Sequence, residues 1–332
     1  MKHILISLAA LSLLAACNKQ TSGEQVAPEK ETALVTFLLA DAELSRATSC
    51  ASESTIEQAQ VAAYNSSGVL LAVASAVNGA AVLRVPIGEG GCTAFALANS
   101  SFSLENCASL TAALSASSTL GANRASSLSG LEMAGILHDI TFTPDYSETI
   151  LLRRFAAKVE IDEIANAIPG NPTLSIKGIY LINVNTQMRH DFSGSSLNWA
   201  QKRAYTSSET TVTPCTADIF TASVNGASSY GIPHYFYCYQ NPTTTDSSSE
   251  TWCPRYTRLV VEASYSGHDY YYPINIKGAD GRLNFNTSYI ISKLTITGPG
   301  SDSPDKPITK GGASFSLSVV DWTSGISQEV EI

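Results

Sequence analysis

From residue 32 onward, apolar and polar residues alternate in short runs separated by Gly, Ser, Asn and Pro clusters. Period-two alternation of this kind predicts half-buried β-strands. TALVTFLL (32–39) places Ala33, Val35, Phe37 and Leu39 on one face. TIEQAQVAAYN (55–65) runs into a turn at Ser66-Ser67-Gly68, and VLLAVAS follows. AVLRVPIG (81–88), TAFALAN (93–99) and AKVEIDE (157–163) continue the pattern. LSIKGIYLINV (174–184) puts Leu174, Ile176, Gly178, Tyr180, Ile182 and Val184 on one face. TRLVVEASY (257–265) and HDYYYPINI (268–276) predict a hairpin around Ser266-Gly267. SYIISKLTITG (288–298) and ASFSLSVVDW (313–322) complete the series. One stretch, 103–134, is rich in Ala, Leu and Ser and is the best helical candidate, although its serines and Gly121 weaken it. The pattern predicts an all-β chain of two β-sandwiches in tandem, with a seam near Arg153-Arg154 and a short helical segment in the first.

Both ends of the sequence depart from an ordinary sandwich. Lys2 and His3 precede the apolar run ILISLAALSLLAA, which leads into Leu14-Ala15-Ala16-Cys17. The run is short for a membrane span, and small residues before a cysteine are the pattern of a bacterial lipobox. Residues 1–16 therefore predict a lipoprotein signal peptide with lipid carried on Cys17, and NKQTSGEQVAPEKE predicts a polar tether. At the other end, SFSLSVVDW and a Ser-Gly break lead to ISQEVEI, with Ile326, Gln328, Val330 and Ile332 on one face. Such a strand must pair in its own sheet or in that of another molecule. Between TALVTFLL and TIEQAQVAAYN lies DAELSRATSCASES, a loop of small residues whose one basic residue, Arg46, offers a cut site before Ala47 to a trypsin-like protease.

Composition narrows the function. The 332 residues are enough for two ordinary domains, and a charged share of 15% excludes a charged disordered tail or a coiled coil. A formal net charge of −9 leaves no basic surplus for nucleic acid. Seven cysteines less Cys17 leave six, Cys50, Cys92, Cys107, Cys215, Cys238 and Cys253, which an exported chain can oxidise in 15 connectivities. Cys92 and Cys107 flank 14 residues, as do Cys238 and Cys253, and these are the favoured local pairs. His138 beside Asp139 lacks a marked nucleophile, and no metal-hydrolase, nucleophile-elbow or phosphate-loop motif occurs. Neither an enzyme nor a cofactor or metal site is expected. The aromatic clusters His234-Tyr235-Phe236-Tyr237 and Tyr270-Tyr271-Tyr272 predict core and cross-strand pairs, with a sugar platform as the rival reading.

Taken in order, several of these segments resemble the fimbrillin family of Bacteroidales, the shaft subunits of type V pili. They are the lipobox at Cys17, the strand–loop–strand unit around Arg46, LLRRFAAKVEI (151–161), IPHYFYCYQNPT (232–243), LNFNTSYIISKLTITGPGSDSP (283–304) and SLSVVDWTSGISQEVEI. The resemblance implies two transthyretin-like β-sandwich domains, 47–154 and 155–332, after a lipidated propeptide, 17–46. It also implies an exported precursor held by lipid at the outer membrane. There an Arg-specific protease cuts after Arg46, the strand 32–39 leaves, and a donor segment of about 314–332 from the next subunit enters. Phe315, Leu317, Val319, Ile326, Val330 and Ile332 are the donor's apolar side chains. The implied partners are other copies of the chain or related pilins in a head-to-tail cell-surface polymer that supports adhesion or biofilm formation. A tip adhesin, an anchor subunit and a lipid-anchored glycan-binding protein are the alternatives. Six cysteines beyond the lipobox exceed what the family leads one to expect.

Overall fold

The computed structural model describes residues 30–41, 51–120, 130–193, 199–200, 217–246, 255–308, 311–321 and 327–331. Thr32–Ile332 is one compact unit. Its first part contains β1 (Thr32–Asp41), β2 (Ala59–Tyr64), β3 (Leu70–Ser75), β4 (Ala80–Pro86), β5 (Cys92–Ala98), the helix α1 (Leu110–Ser115), β6 (Ser117–Thr119), β7 (Met133–Ile140) and β8 (Ser147–Arg154). Seven of these strands form a sheet in the order β3-β2-β5-β7-β8-β1-β4. β7 and β8 pair only at Met133↔Arg154 and Ala134↔Arg153, so the sheet folds there into a four-stranded and a three-stranded face. Gly135 sits at the fold: a Cβ there would lie 2.4 Å from the Leu151 carbonyl oxygen. The two faces close over one core, in which Val35 and Phe37 of β1 meet Leu83 and Val85 of β4, Ala94 and Ala96 of β5, and Ile150 and Leu152 of β8.

The rest of the chain supplies β9 (Ala156–Ile161), β10 (Ile164–Asn166), β11 (Leu174–Ile182), β12 (Val184–Asn185), β13 (Gln187–Arg189), β14 (Trp199–Ala200), β15 (Ala217–Val224), β16 (Ser229–Tyr230), β17 (His234–Tyr239), β18 (Arg258–Tyr265), β19 (His268–Asn275), β20 (Thr287–Ile291), β21 (Leu294–Ile296), β22 (Ala313–Asp321) and β23 (Ser327–Glu331). A four-stranded sheet, β15-β11-β18-β19, faces a larger one. In the larger sheet β17 pairs with β9, β9 runs parallel to β20, β20 pairs with β22, and β22 pairs with β23. The two sheets share a core that includes Ile161, Ile179, Leu181, Leu259, Val261, Ile274, Ile291 and Leu317. The expected hairpin forms, with Tyr265 opposite His268 and a turn whose two residues, Ser266 and Gly267, both have positive φ.

Several expectations need correction. β11 does not present one uniform face, because its register shifts between Ile176 and Gly178. The bulge inserts one residue and reverses the alternation beyond it. Leu174, Ile176, Ile179 and Leu181 consequently enter the main core, whereas Tyr180 and Ile182 pack with Val260 on the other side. Among the described residues of the helical candidate at 103–134, helix is limited to a single 3-10 turn, Leu104–Asn106, and the six residues of α1. Ser109 caps α1 by accepting from the Ala112 N–H, but Ser117–Thr119 is already a strand and Met133 opens β7. Serine hydroxyls that compete for backbone groups favour caps and turns over helix interiors.

The expected Cys92–Cys107 disulfide is not formed. Cys92 points from β5 into the first core, whereas Cys107 lies in the other cluster with Tyr64 and Leu104, and its thiol is free. The sheet stands between them. Burial pushes the Cys107 thiol above its ordinary pKa. Cys238 is buried in β17, and its expected partner Cys253 lies outside the described residues, as do Cys50 and Cys215.

Two buried polar centres fasten the fold. The ring of His190, 1% exposed, stacks 5.5 Å from Phe155 and lies edge-on to Phe102 at 5.0 Å. Its Nδ1 is 3.1 Å from the Ala113 carbonyl oxygen and its Nε2 3.4 Å from Ser118 Oγ. It thus bridges the α1 segment to the region of β13, which pairs with β6. Burial holds the His190 pKa below its ordinary value. In the second centre, Asp305 bridges the buried guanidinium groups of Arg255 and Arg258 and accepts from Asn183 Nδ2 at 3.2 Å. It ties the loop after β21 to the start of β18.

These centres set two expected outcomes. Unfolded His190 takes up a proton more readily than the folded residue, so its contribution is intact above about pH 6.5 and is lost as pH falls through the folded value. Asp162, pushed up to about 6 by burial and by Glu160, acts in the opposite sense over the same window. Urea unfolding of the wild type and of His190→Gln from pH 7.5 to about 5 cancels the Asp162 effect, and the variant should lose stability on acidification less steeply. Asp305→Ala leaves two buried arginines without their shared carboxylate and should destabilise by about 3–5 kcal/mol. A denaturation midpoint unchanged from wild type would refute this.

Candidate functional site

β1 is the structural feature that sets this sandwich apart. It is the middle strand of the three-stranded face, antiparallel to β4 from Thr32↔Pro86 to Leu38↔Ala80 and parallel to β8 from Thr36↔Ser147 to Asp41↔Leu152. Both of its backbone edges are therefore used. Val35 and Phe37 are fully buried, and the Phe37 ring lies 6.3 Å from Phe142 and 6.0 Å from Tyr146 in an aromatic nest. On the opposite face Leu34 and Leu38 are exposed. Each well-buried side chain of this size is worth ~1.5–3 kcal/mol. β1 reaches the remainder of its own sheet in sequence only through the segment after Asp41, which carries Arg46.

Charged groups pin both ends of that segment. Arg154, at the end of β8 and fully buried, pairs with the Asp41 carboxylate at the end of β1. The same guanidinium donates from Nε to the Glu53 carbonyl oxygen at 2.9 Å, on the far side of the segment. The Glu53 carboxylate, itself buried, accepts from Tyr237 Oη at 2.6 Å and pairs with Lys158 Nζ at 3.2 Å. Burial disfavours the Lys158 ammonium, but Glu160 at 2.8 Å and the Glu53 charge hold its pKa above the ordinary value. The neighbouring Arg153 projects over the rings of Phe192 and Phe285, 4.6 and 5.4 Å from their centroids. Arg153-Arg154 is thus the place where charged side chains tie β1, the segment following it and the second sandwich together.

Other residues singled out in the sequence lie elsewhere. Cys17, Arg46, Ala47, Ile326 and Ile332 fall outside the described residues. Phe315, Leu317 and Val319 belong to β22, within the chain's own larger sheet, where Leu317 is fully buried and the other two pack against the same core. Val330 lies in β23 opposite Leu317. The tyrosine clusters are divided among cores: Phe236 and Tyr272 enter the main one, Tyr237 packs with Leu131 and Ala156, and Tyr271 packs against Tyr180 and Ile182. Tyr235 lies under Lys158 Nζ at 5.5 Å. His138 and Asp139 are exposed on β7. Among the described residues no group of His, Cys, Asp and Glu is placed to hold a metal ion, and no helix is long and apolar enough to cross a membrane. Sequence reasoning did not find the roles of Asp41, Glu53 and Lys158, and it marked Arg154 only as a seam.

No family model matches the sequence, and no curated protein sequence matches it. Solved structures do. A fimbrilin (fimA) of Porphyromonas gingivalis W83 superposes with a TM-score of 0.66 at 16% identity, over 89% of this chain and 98% of that one. A candidate cell adhesion protein of Bacteroides eggerthii gives 0.64 at 16% identity, over 88% and 97%. The tip fimbrial protein Mfa3 of Porphyromonas gingivalis, truncated at its C-terminus, gives 0.53 at 14% identity, over 89% and 100%. At these identities the likeness is one of fold, and the chain has the all-β sandwich fold of a fimbrilin.

Proposed function

We propose that this chain is a structural subunit of a cell-surface pilus, assembled by exchange of strands between copies, and not an enzyme. The observation that carries this reading is the position of β1. It is a central strand, ladder-bonded on both edges, with its buried face in the core, and the sequence that follows it carries a single arginine, Arg46. Cutting the chain there converts an intramolecular strand into a separable one. Its departure would open a groove lined by the free edges of β4 and β8 and by apolar side chains around Phe142 and Tyr146. Unpaired sheet edges of this kind take up another strand.

In this reading the precursor is exported as a lipoprotein held at the outer membrane by Cys17, the propeptide is residues 17–46, and the two sandwich domains are 47–154 and 155–332. The donor is the segment 314–332. Its first strand, β22, borders β23 on one edge and β20 and β21 on the other, so release of the β22–β23 pair breaks the ladders to β20 and β21 and uncovers the core at Leu317, a cost that its pairing in the next copy's groove has to offset. A donor from one copy and a groove in the next make a head-to-tail contact, which grows a filament rather than a closed ring. The fold likeness to a fimbrilin and to a tip fimbrial protein supports a place in a pilus.

The test is limited proteolysis of the folded precursor with an Arg-specific protease, followed by N-terminal sequencing and electron microscopy. A new N-terminus at Ala47 and the appearance of filaments are expected. Rapid cutting elsewhere with Arg46 protected, or a cleaved protein that stays monomeric, would overturn the reading.

A further inference from the structure

β1 and β22 carry the same side-chain pattern in the same chain direction. Ala33, Val35, Phe37, Leu39 and Asp41 match Ala313, Phe315, Leu317, Val319 and Asp321, and Thr36 matches Ser316. In β1 the alternate positions fill the core and finish at Asp41, whose carboxylate meets the buried Arg154. We propose that Arg154 is the register-determining residue of the β1 groove. It binds a carboxylate at the end of whichever strand lies between β4 and β8: Asp41 before cleavage, and Asp321 of a second copy's β22 afterwards. This rests on the strand-exchange reading and extends it to one ion pair.

The physical need for such a residue follows from the geometry of strands. A slip of one residue turns the apolar face of an incoming strand outward and is strongly disfavoured. A slip of two residues keeps the apolar face inward, so alternation alone does not exclude it. It does move every side chain by about 6–7 Å along the groove. A carboxylate displaced that far breaks its ion pair with the buried guanidinium of Arg154, and breaking a buried ion pair is strongly unfavourable. Loss of β1 removes Asp41 from Arg154, while the hydrogen bond from Nε to the Glu53 carbonyl keeps the guanidinium aimed at the end of the groove. The groove left behind therefore has apolar positions for Phe315, Leu317 and Val319 and a cationic end for Asp321.

Two C-terminally amidated peptides, residues 32–41 and 313–321, test this on the cleaved full-length protein, each in its native form and with Asp41→Asn or Asp321→Asn. Fluorescence anisotropy gives the affinities, and filament growth followed by light scattering gives their capping activity. The native peptides should bind and block growth, and each Asn peptide should bind about 10- to 100-fold more weakly. Full-length Asp321→Asn should polymerise at least about tenfold more slowly than wild type. Equal affinities for the Asp and Asn peptides would overturn the role of Arg154. Asp-dependent binding by 32–41 without any binding by 313–321 would overturn the assignment of Asp321. If cleaved wild-type protein forms no filaments and binds neither peptide, the strand-exchange reading itself fails.

Discussion

The structure depends on a strand that is held from both sides and yet joined to the rest of its sheet by one segment. Backbone N–H and C=O groups buried in a sheet must be paired. β1 meets that demand for itself and for the inner edges of β4 and β8 at once. The closure of the first core over Val35 and Phe37 follows from that placement, and so does the aromatic nest of Phe142 and Tyr146. In the proposed strand exchange, the same two edges would be completed from within by β1 or from outside by a strand of another copy.

Charge placement reinforces the arrangement where apolar packing cannot. Arg154 joins the end of β1 to the backbone of Glu53, and Lys158 with Tyr237 holds the Glu53 carboxylate against the second sandwich. The two sides of the segment after β1 are thereby fastened to one guanidinium, and the Glu53 side to the second sandwich as well, by groups buried away from water. Ion pairs of this kind add little net stability relative to apolar packing, but breaking one is costly, which makes them suited to specifying a register. Asp305 with Arg255 and Arg258 plays the comparable part for the loop between β21 and β22.

Much of the strand content was legible in the sequence because alternation is a local property. The hairpin at Ser266-Gly267, the inward face of β1 and the strands β4 and β5 follow directly from residues adjacent in the chain. Where local logic met a tertiary adjustment, it failed. The bulge at Gly178 reverses the faces of β11 because both neighbours, β15 and β18, shift register there. The spacing of Cys92 and Cys107 suggested a bond, but the sheet places the two on opposite sides.

The sequence by itself determined the all-β class, the alternation of β1, the single arginine in the loop that follows and the apolar strands near the chain's end, since each is written in consecutive residues. Only the tertiary structure decided that β1 is central rather than marginal, because its partners β4 and β8 lie far along the chain and one of them runs parallel to it. It also decided that Arg154 meets Asp41 and Glu53, residues 113 and 101 positions away. No local pattern encodes such a meeting. It arises when two sheets close over a core and a guanidinium that cannot reach water must find its oxygens inside.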